Sequence, residues 1–384
     1  MSAPLDSLQI GMHWFGERPG GLDRMFKALV ESLPAQGVNV RGLVAGSADV
    51  LRDSGGVVEA FAGAGERLHT RMWQARRHSL SLKRAQAPDV VATHFALYSV
   101  PTAGVFGRIP RVVHFHGPWA DESAVEGRGR LSHVMRRAIE RAVYRHASRH
   151  IVLSRAFGEL LEHQYGVPES SIRIVPGCVE TERFEVAQSR AEARALLDLP
   201  NDRPVVFCIR RLVARMGLEE LIDAIYVARQ SMPDILLVIA GKGPLEPALR
   251  AKIAARRLES HVRLAGFVPD EALPLWYRSA ELSIVPTLTL EGFGLTTIES
   301  LAAGTPVLVT PVGGLPEAVA PLSPDLVMPS IGYQAIGSAL VDALLGRRAL
   351  PDASACQDYA RTRFDRSVVA AQVAEVYREA VAQG

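Results

Sequence analysis

The chain has 384 residues, 48% apolar and 22% charged, with a net charge of +2, which excludes the disordered, collagenous and membrane-embedded classes. That length exceeds what one hydrophobic core usually organises, so two domains are expected. Residues 1–180 carry 22 Lys/Arg against 17 Asp/Glu and ten of the eleven histidines, an excess too small to point to nucleic acid.

Cys178, Cys208 and Cys356 show no CxxC spacing, so neither a disulfide framework nor a structural zinc site is expected. The apolar residues near the N-terminus (Leu8, Ile10, Met12, Trp14, Phe15) are interrupted and lead to no small-residue cleavage site, as a signal peptide would require. No run reaches the roughly 18 apolar residues of a membrane span. A cytoplasmic protein is the expectation, with attachment to the inner face of the membrane considered below.

In chain order the first half reads as strand LQIGMHWF (8–15), a helix from Asp23 to Ala35, and strands VNVRGLV (38–44), DVVATHF (89–95), RVVHFHG (111–117) and HIVLS (150–154). A further strand exits through Pro176 and Gly177. The second half alternates more cleanly. Strands PVVFCI (204–209), ILLVIAG (235–241), VRLAGFV (262–268), LSIVPT (282–287) and PVLVT (306–310) are separated by helical stretches such as 218–230 and 245–258. Strict alternation predicts an α/β fold of two Rossmann-like, doubly wound parallel sheets facing a cleft. Residues 1–178 form the first domain and 179–365 the second, and a final amphipathic helix near 366–384 crosses back to the first.

The segment Glu291–Glu299, EGFGLTTIE, lies between a buried strand and a helix. Gly292 and Gly294 let backbone approach a ligand, and the N–H groups of Gly294, Leu295 and Thr296 open the helix, which suits a diphosphate. Glu291 and Glu299 can each accept from a pair of sugar hydroxyls, one of a hexose and one of a ribose. The loop GKGPLE (241–246) fails as a dinucleotide fingerprint because Glu246 occupies the third glycine position, which disfavours an NAD(P) enzyme.

The stretch EGFGLTTIESLAAGTPVLVTPVGGLPE resembles the donor-site motif of retaining glycosyltransferases of family 4, which have the GT-B fold. The resemblance covers most of the chain. It implies that Gly20 and Gly21 contact the donor diphosphate, that His116 lies near the reacting sugar with His114 as a lesser candidate, and that Arg211 neutralises the diphosphate. Met216 stands where the family has a lysine, so Arg215 is expected to take over; solvated surface positions for Arg210 and Arg215 remain an open alternative. Gly241 and Gly243 match the family's Gly-x-Gly-Pro loop, Phe267 and Val268 its base-binding edge, and Gly292, Phe293, Gly294, Leu295, Thr296 and Glu299 its donor loop. His116, Arg211 and Glu291 carry the catalytic expectation. IVPGCVETERF (174–184) resembles the family's hinge, with Gly177 and Cys178 in place of Asn-Gly and Glu180 in place of Asp.

The resemblance further implies retention of configuration, with the leaving phosphate oxygen taking the acceptor's proton and Glu291 binding hydroxyls instead of acting as nucleophile. The sequence has no Asp-x-Asp, so no metal and no other cofactor is expected. The donor is expected to be a nucleotide-diphosphate sugar, a UDP-sugar ahead of GDP-mannose, and the acceptor a hydroxyl of a glycan, a lipid-linked molecule or a small molecule. Epimerases of the same fold and a non-catalytic sugar-nucleotide binder are the alternatives. The Arg-rich stretch 128–150, apolar at Met135, Ile139 and Val143, is read either as a contact with anionic membrane or as a solvated helix packed on its own domain.

Overall fold

The computed structural model describes residues 4–18, 20–125, 127 and 129–383. The chain divides into two compact units, Met1–Cys178 with Arg366–Gly384, and Val179–Asp365.

The first unit is built on seven strands: β1 (Leu5–His13), β2 (Val38–Ala45), β3 (Val58–Ala62), β4 (Val90–Thr93), β5 (Arg111–Phe115), β6 (Arg149–Val152) and β7 (Ile172–Ile174). They pair in the order β3-β2-β1-β4-β5-β6-β7, every pair parallel. β4 is buried at all four positions and β1 at seven of nine, as expected of strands covered by helices on both faces. β3 was not foreseen. It is a five-residue edge strand with two half-buried positions, too short to stand out as a pattern.

The first helix runs Gly21–Ser32, two residues earlier than expected, and gives way to a tighter turn at Leu33–Gln36. Pro34 is the reason: it offers no N–H to continue the α-helical hydrogen-bond ladder, although Leu33 before it keeps helical backbone angles. The C-terminal helix Arg366–Ala382 packs back on this first unit, burying Val369, Ala370, Val373, Ala374, Tyr377 and Ala380 along one stripe. Its Glu379 is paired with Arg149 at 2.9 Å and with Arg173.

The second unit holds β8 (Val205–Ile209), β9 (Leu236–Ala240), β10 (Val262–Gly266), β11 (Leu282–Val285) and β12 (Val307–Val309) in the order β10-β9-β8-β11-β12, again all parallel. Its core gathers Val206, Cys208, Leu237, Ile239, Leu282, Ile284 and Leu308 from the sheet with Leu221, Ile222 and Ile225 from the helix Leu218–Ala228. Strand order reverses between β1 and β4 in one unit and between β8 and β11 in the other. Ligands of doubly wound sheets bind beside such points, at the carboxyl ends of the strands.

Candidate active site

In the second unit the carboxyl ends of β8 and β11 carry a buried ion pair. Alternation continues past the end of β8: Cys208 and Arg210 turn inward while Arg211 is exposed. The Arg210 guanidinium donates to Thr287 Oγ1 at 2.5 Å, to Thr296 Oγ1 at 3.2 Å and to the Glu291 carboxylate. Thr287 in turn lies 3.2 Å from Glu291, and the Thr310 hydroxyl anchors the Thr287 carbonyl at 2.6 Å. The Arg210 and Glu291 side chains are only 7% and 14% exposed, so this pair is little screened by water.

Leu290, immediately before Glu291, has φ of 55°, a left-handed conformation costly for a branched side chain. Arg215 Nη1 holds its carbonyl at 2.9 Å. Both Arg210 and Arg215 are buried, which removes the surface alternative for them, and Met216, at the family's lysine position, lies in the unit's core.

Gly294, with φ of 76°, caps the eight-residue helix Leu295–Ala302 without a side-chain bond, and a Cβ there would overlap Leu315. Gly292 is buried, and Phe293 packs its ring against Phe364 at 5.5 Å, leaving only its backbone for a ligand. Leu295 and Thr296, at the helix start, are half-buried. Glu299 lies inside the helix, 3% exposed, and accepts from the Tyr277 hydroxyl at 2.9 Å; Tyr277 is also 3.2 Å from the Thr296 carbonyl.

The neighbouring strand ends complete the surface. Gly241 has φ of 132° and sits so close to the Arg210 carbonyl that any Cβ would overlap it. Gly243 is similarly close to the Leu212 carbonyl, and the two loops exchange Arg210 N–H to Ala240 O and Leu212 N–H to Lys242 O, each at 3.0 Å. Gly241 N–H reaches Gly266 O at 2.7 Å. The Lys242 ammonium lies 4.9 Å from the centre of the exposed Phe267 ring, and Val268 is buried beside it. Arg210, Glu291, the 292–299 segment, Gly241, Gly243 and Phe267 thus occupy the carboxyl ends of four adjacent strands.

The remaining expected residues belong to the first unit. Gly20 caps the helix Gly21–Ser32 in extended conformation, and both glycines are exposed. Behind them the buried Asp23 carboxylate accepts the His13 N–H at 2.9 Å, and burial pushes its pKa up to about 6. His116 follows β5 and is half-buried; burial pushes its pKa down to about 4, so it is neutral at pH 7. His114 is fully enclosed and meets the Tyr377 hydroxyl at 2.7 Å.

Arg210 was named from the sequence only as a candidate surface charge, and Thr287, Tyr277, His94 and Gln9 were not singled out. The available signal was a polar residue placed in phase with the buried positions of its strand. Arg210 shares the face of Cys208, and Gln9 stands within an apolar run.

The helix Arg130–Tyr144 divides along its length. Ile139 and Val143 pack on the first unit, whereas Leu131, Val134 and Met135 are 79%, 59% and 60% exposed. The stripe expected from Met135 onward is therefore covered only in its C-terminal part. Among the described residues, no helix is long and apolar enough to cross a membrane.

Residues 189–363 match the family model for glycosyl transferases group 1, and residues 19–183 match that for glycosyltransferase family 4. A GDP-mannose-dependent alpha-(1-6)-phosphatidylinositol monomannoside mannosyltransferase of Mycobacterium tuberculosis (strain CDC 1551 / Oshkosh) is 31% identical over 219 residues, 55% of this chain and 57% of that protein. The match therefore spans little more than half of that relative. Sucrose-phosphate synthase from Thermosynechococcus elongatus superposes with a TM-score of 0.79 at 20% identity, covering 99% of this chain and 100% of that one. Anabaena Alr3699/HepE, solved in complex with UDP and glucose, gives 0.78 at 20% identity over 98% and 100%. These two likenesses show the fold, which is GT-B. With one family model on each side of the unit boundary, the chain belongs to the family 4 glycosyltransferases.

Proposed function

We propose that the protein is a retaining, metal-independent glycosyltransferase that moves a hexose from a nucleotide-diphosphate sugar to a hydroxyl of a glycan, lipid-linked or small-molecule acceptor. The observation that carries this is the buried Arg210–Thr287–Glu291 network at the β8/β11 reversal, beside the N-terminus of the helix Leu295–Ala302. Arg210 fixes the Glu291 carboxylate, which accepts from hexose hydroxyls. The Leu295 and Thr296 N–H groups, the exposed Arg211 and the charge of Arg215 beneath the loop stabilise the diphosphate as it leaves. Glu299, held by Tyr277, meets the ribose with the edge of its carboxylate. Gly241, Gly243 and the backbone at Phe267 and Val268 border the base. In the other unit His116 accepts from the sugar, and Gly20 and Gly21 border the diphosphate.

Chemistry of this kind needs charge stabilisation and orientation and no protein nucleophile. The acceptor's proton goes to the departing phosphate oxygen on the same face of the sugar, so configuration is retained. With no Asp-x-Asp in the sequence, the arginines and the helix N-terminus supply the positive charge. A UDP-hexose is taken first as donor. GDP-mannose is the second reading, favoured by the GDP-mannose dependence of the mycobacterial relative. The exposed Leu131, Val134 and Met135 on an Arg-rich helix suit an anionic membrane carrying a lipid-linked acceptor.

The test is incubation with UDP-hexoses and GDP-mannose in EDTA, with nucleotide release followed and the product's anomeric configuration read by NMR. Slow release of free sugar with the donor's configuration supports a retaining transferase. Interconversion of the donor sugar would indicate an epimerase, and loss of all turnover in EDTA would overturn metal independence.

A further inference from the structure

The first unit has its own polar network at its strand-order reversal, made by Ser7, Gln9 and His94, which the transfer scheme above does not use, and ending on His116, which it does. Every member has a determined donor or acceptor role, because the network begins at a group that can only accept. The Ser7 hydroxyl donates to the Asn39 backbone carbonyl at 3.1 Å. Its single hydrogen being used there, Ser7 Oγ must accept from Gln9 Nε2, at 3.0 Å. This orients the Gln9 amide and turns Oε1 toward His94 Nε2 at 2.9 Å and the Tyr377 hydroxyl at 3.1 Å. His94 therefore carries its proton on Nε2. Burial keeps this ring neutral, so its Nδ1 is bare, and the neighbour 3.2 Å away, His116 Nε2, must be the donor. His116 is then left with a bare Nδ1, which bonds no side chain or backbone group among the described residues.

The rings are placed for this. The centroids of His94 and His116 are 5.4 Å apart with planes inclined by 20°, an edge-to-edge arrangement in which the two nitrogens face each other nearly in plane. His114 stacks on the face of His94 at 4.1 Å and 15°, and the Phe26 ring meets it edge-on at 5.2 Å and 87°. His94 cannot reorient, and only its tautomer could vary. One ring nitrogen from each of His94, His114 and His116 lies within 4.8 Å of the other two, as ligands of a metal would. However, in-plane lone pairs of the stacked His94 and His114 rings lie in separate, nearly parallel planes, and His94 Nδ1 and His116 Nε2 are directed at each other, so the three do not converge on a point.

We infer that the one-way chain Asn39–Ser7–Gln9–His94 holds His116 as its Nε2–H tautomer, so that Nδ1 offers the donor sugar a hydrogen-bond acceptor. Ser7, Gln9 and His94 are positioning residues. The inference rests on the reading that His116 faces the donor sugar, and it narrows the recognised group to a hydroxyl that donates.

The test is imidazole NMR of the full chain labelled with 15N-histidine, at neutral pH and without donor. His94 and His116 are expected as neutral Nε2–H rings. Gln9→Met, which keeps length and removes the acceptor, should give both rings mixed-tautomer shifts and lower kcat/KM for the donor about tenfold. Gln9→Glu, which keeps an acceptor for His94, should preserve the Nε2–H pattern. Protonation of His116 at Nδ1 or on both nitrogens in the unmodified protein overturns the chain, as does an unchanged tautomer in Gln9→Met. Should Gln9→Met not fold, the unmodified protein's spectrum decides. If the tautomers are as expected but His116→Ala retains donor turnover, the sugar contact is refuted while the chain stands.

Discussion

Replacing Arg210 by Met removes the cation from a carboxylate that is 14% exposed and retains one other side-chain partner, Thr287 at 3.2 Å. Stranding one member of a buried pair costs about 3–5 kcal/mol, and the residual exposure of Glu291 places this case near 3 kcal/mol. The second unit has 187 residues (179 through 365), for which each kcal/mol moves Tm by about 2–4 °C, so its transition should fall by about 6–12 °C. Glu291→Gln keeps shape and an acceptor oxygen but leaves the Arg210 charge, 7% exposed, without its counter-ion, at about 2–3 kcal/mol. If the pair acts as a unit, the double variant should be little worse than Arg210→Met, a coupling near 2 kcal/mol. Differential scanning calorimetry of the four proteins reads this, provided the transitions of the two units are resolved. Additivity to within about 0.5 kcal/mol would refute direct coupling between Arg210 and Glu291.

Gly241→Ala should abolish donor binding and destabilise the second unit, since φ of 132° and the adjacent Arg210 carbonyl leave no room for a Cβ; calorimetry and nucleotide titration check both effects. Arg215→Gln should weaken nucleoside diphosphate about tenfold, and Arg215→Lys should restore part of it. Equal weakening by Gln and Lys would assign Arg215 to holding the Leu290 carbonyl instead of supplying charge. Glu140, fully buried and accepting from the Tyr165 hydroxyl at 2.9 Å, has its pKa pushed by burial from 4.5 up to about 7. A raised carboxyl keeps its proton in the folded state where the unfolded chain has lost it, so stability falls as pH rises from about 4.5 to about 7 and stays low above. The shift corresponds to about 3 kcal/mol. Thermal unfolding of Glu140→Gln at pH 5 and pH 8 should lose that share of the pH dependence, and an unchanged slope would contradict it.

The alternation of strand and helix was legible because parallel strands buried on both faces read as unbroken apolar runs, as in Leu236–Ala240. The helix Arg366–Ala382 was legible from its periodicity. The donor loop could be read because its parts are contiguous in sequence: two glutamates, the glycines between them and a helix start. What escaped were groups assembled by strand order. Arg210 meets Glu291 only because β8 and β11 are neighbours, and Gln9 meets His94 only because β1 and β4 are. Nothing local announces either pairing. Of the adjacent arginines, the resemblance pointed to Arg211, whereas strand alternation turns Arg210 inward; both have a place, one at the surface and one on the carboxylate. In the helix Arg130–Tyr144 periodicity located an apolar stripe but not its extent, because that depends on where the rest of the first unit ends beneath it.

The central claim is that Glu291, set by Arg210, holds the hexose of a nucleotide-sugar donor. It is tested most directly by thermal shift of the unmodified protein and of Glu291→Gln with UDP, GDP and ADP and with their hexose conjugates. At 100 times its dissociation constant a ligand stabilises by about 2.7 kcal/mol, well within detection. One nucleotide series should stabilise both proteins, with the sugar conjugate exceeding the free nucleotide in the unmodified protein and losing that advantage in Glu291→Gln. An equal sugar advantage in both proteins, or no stabilisation by any nucleotide, would contradict the claim.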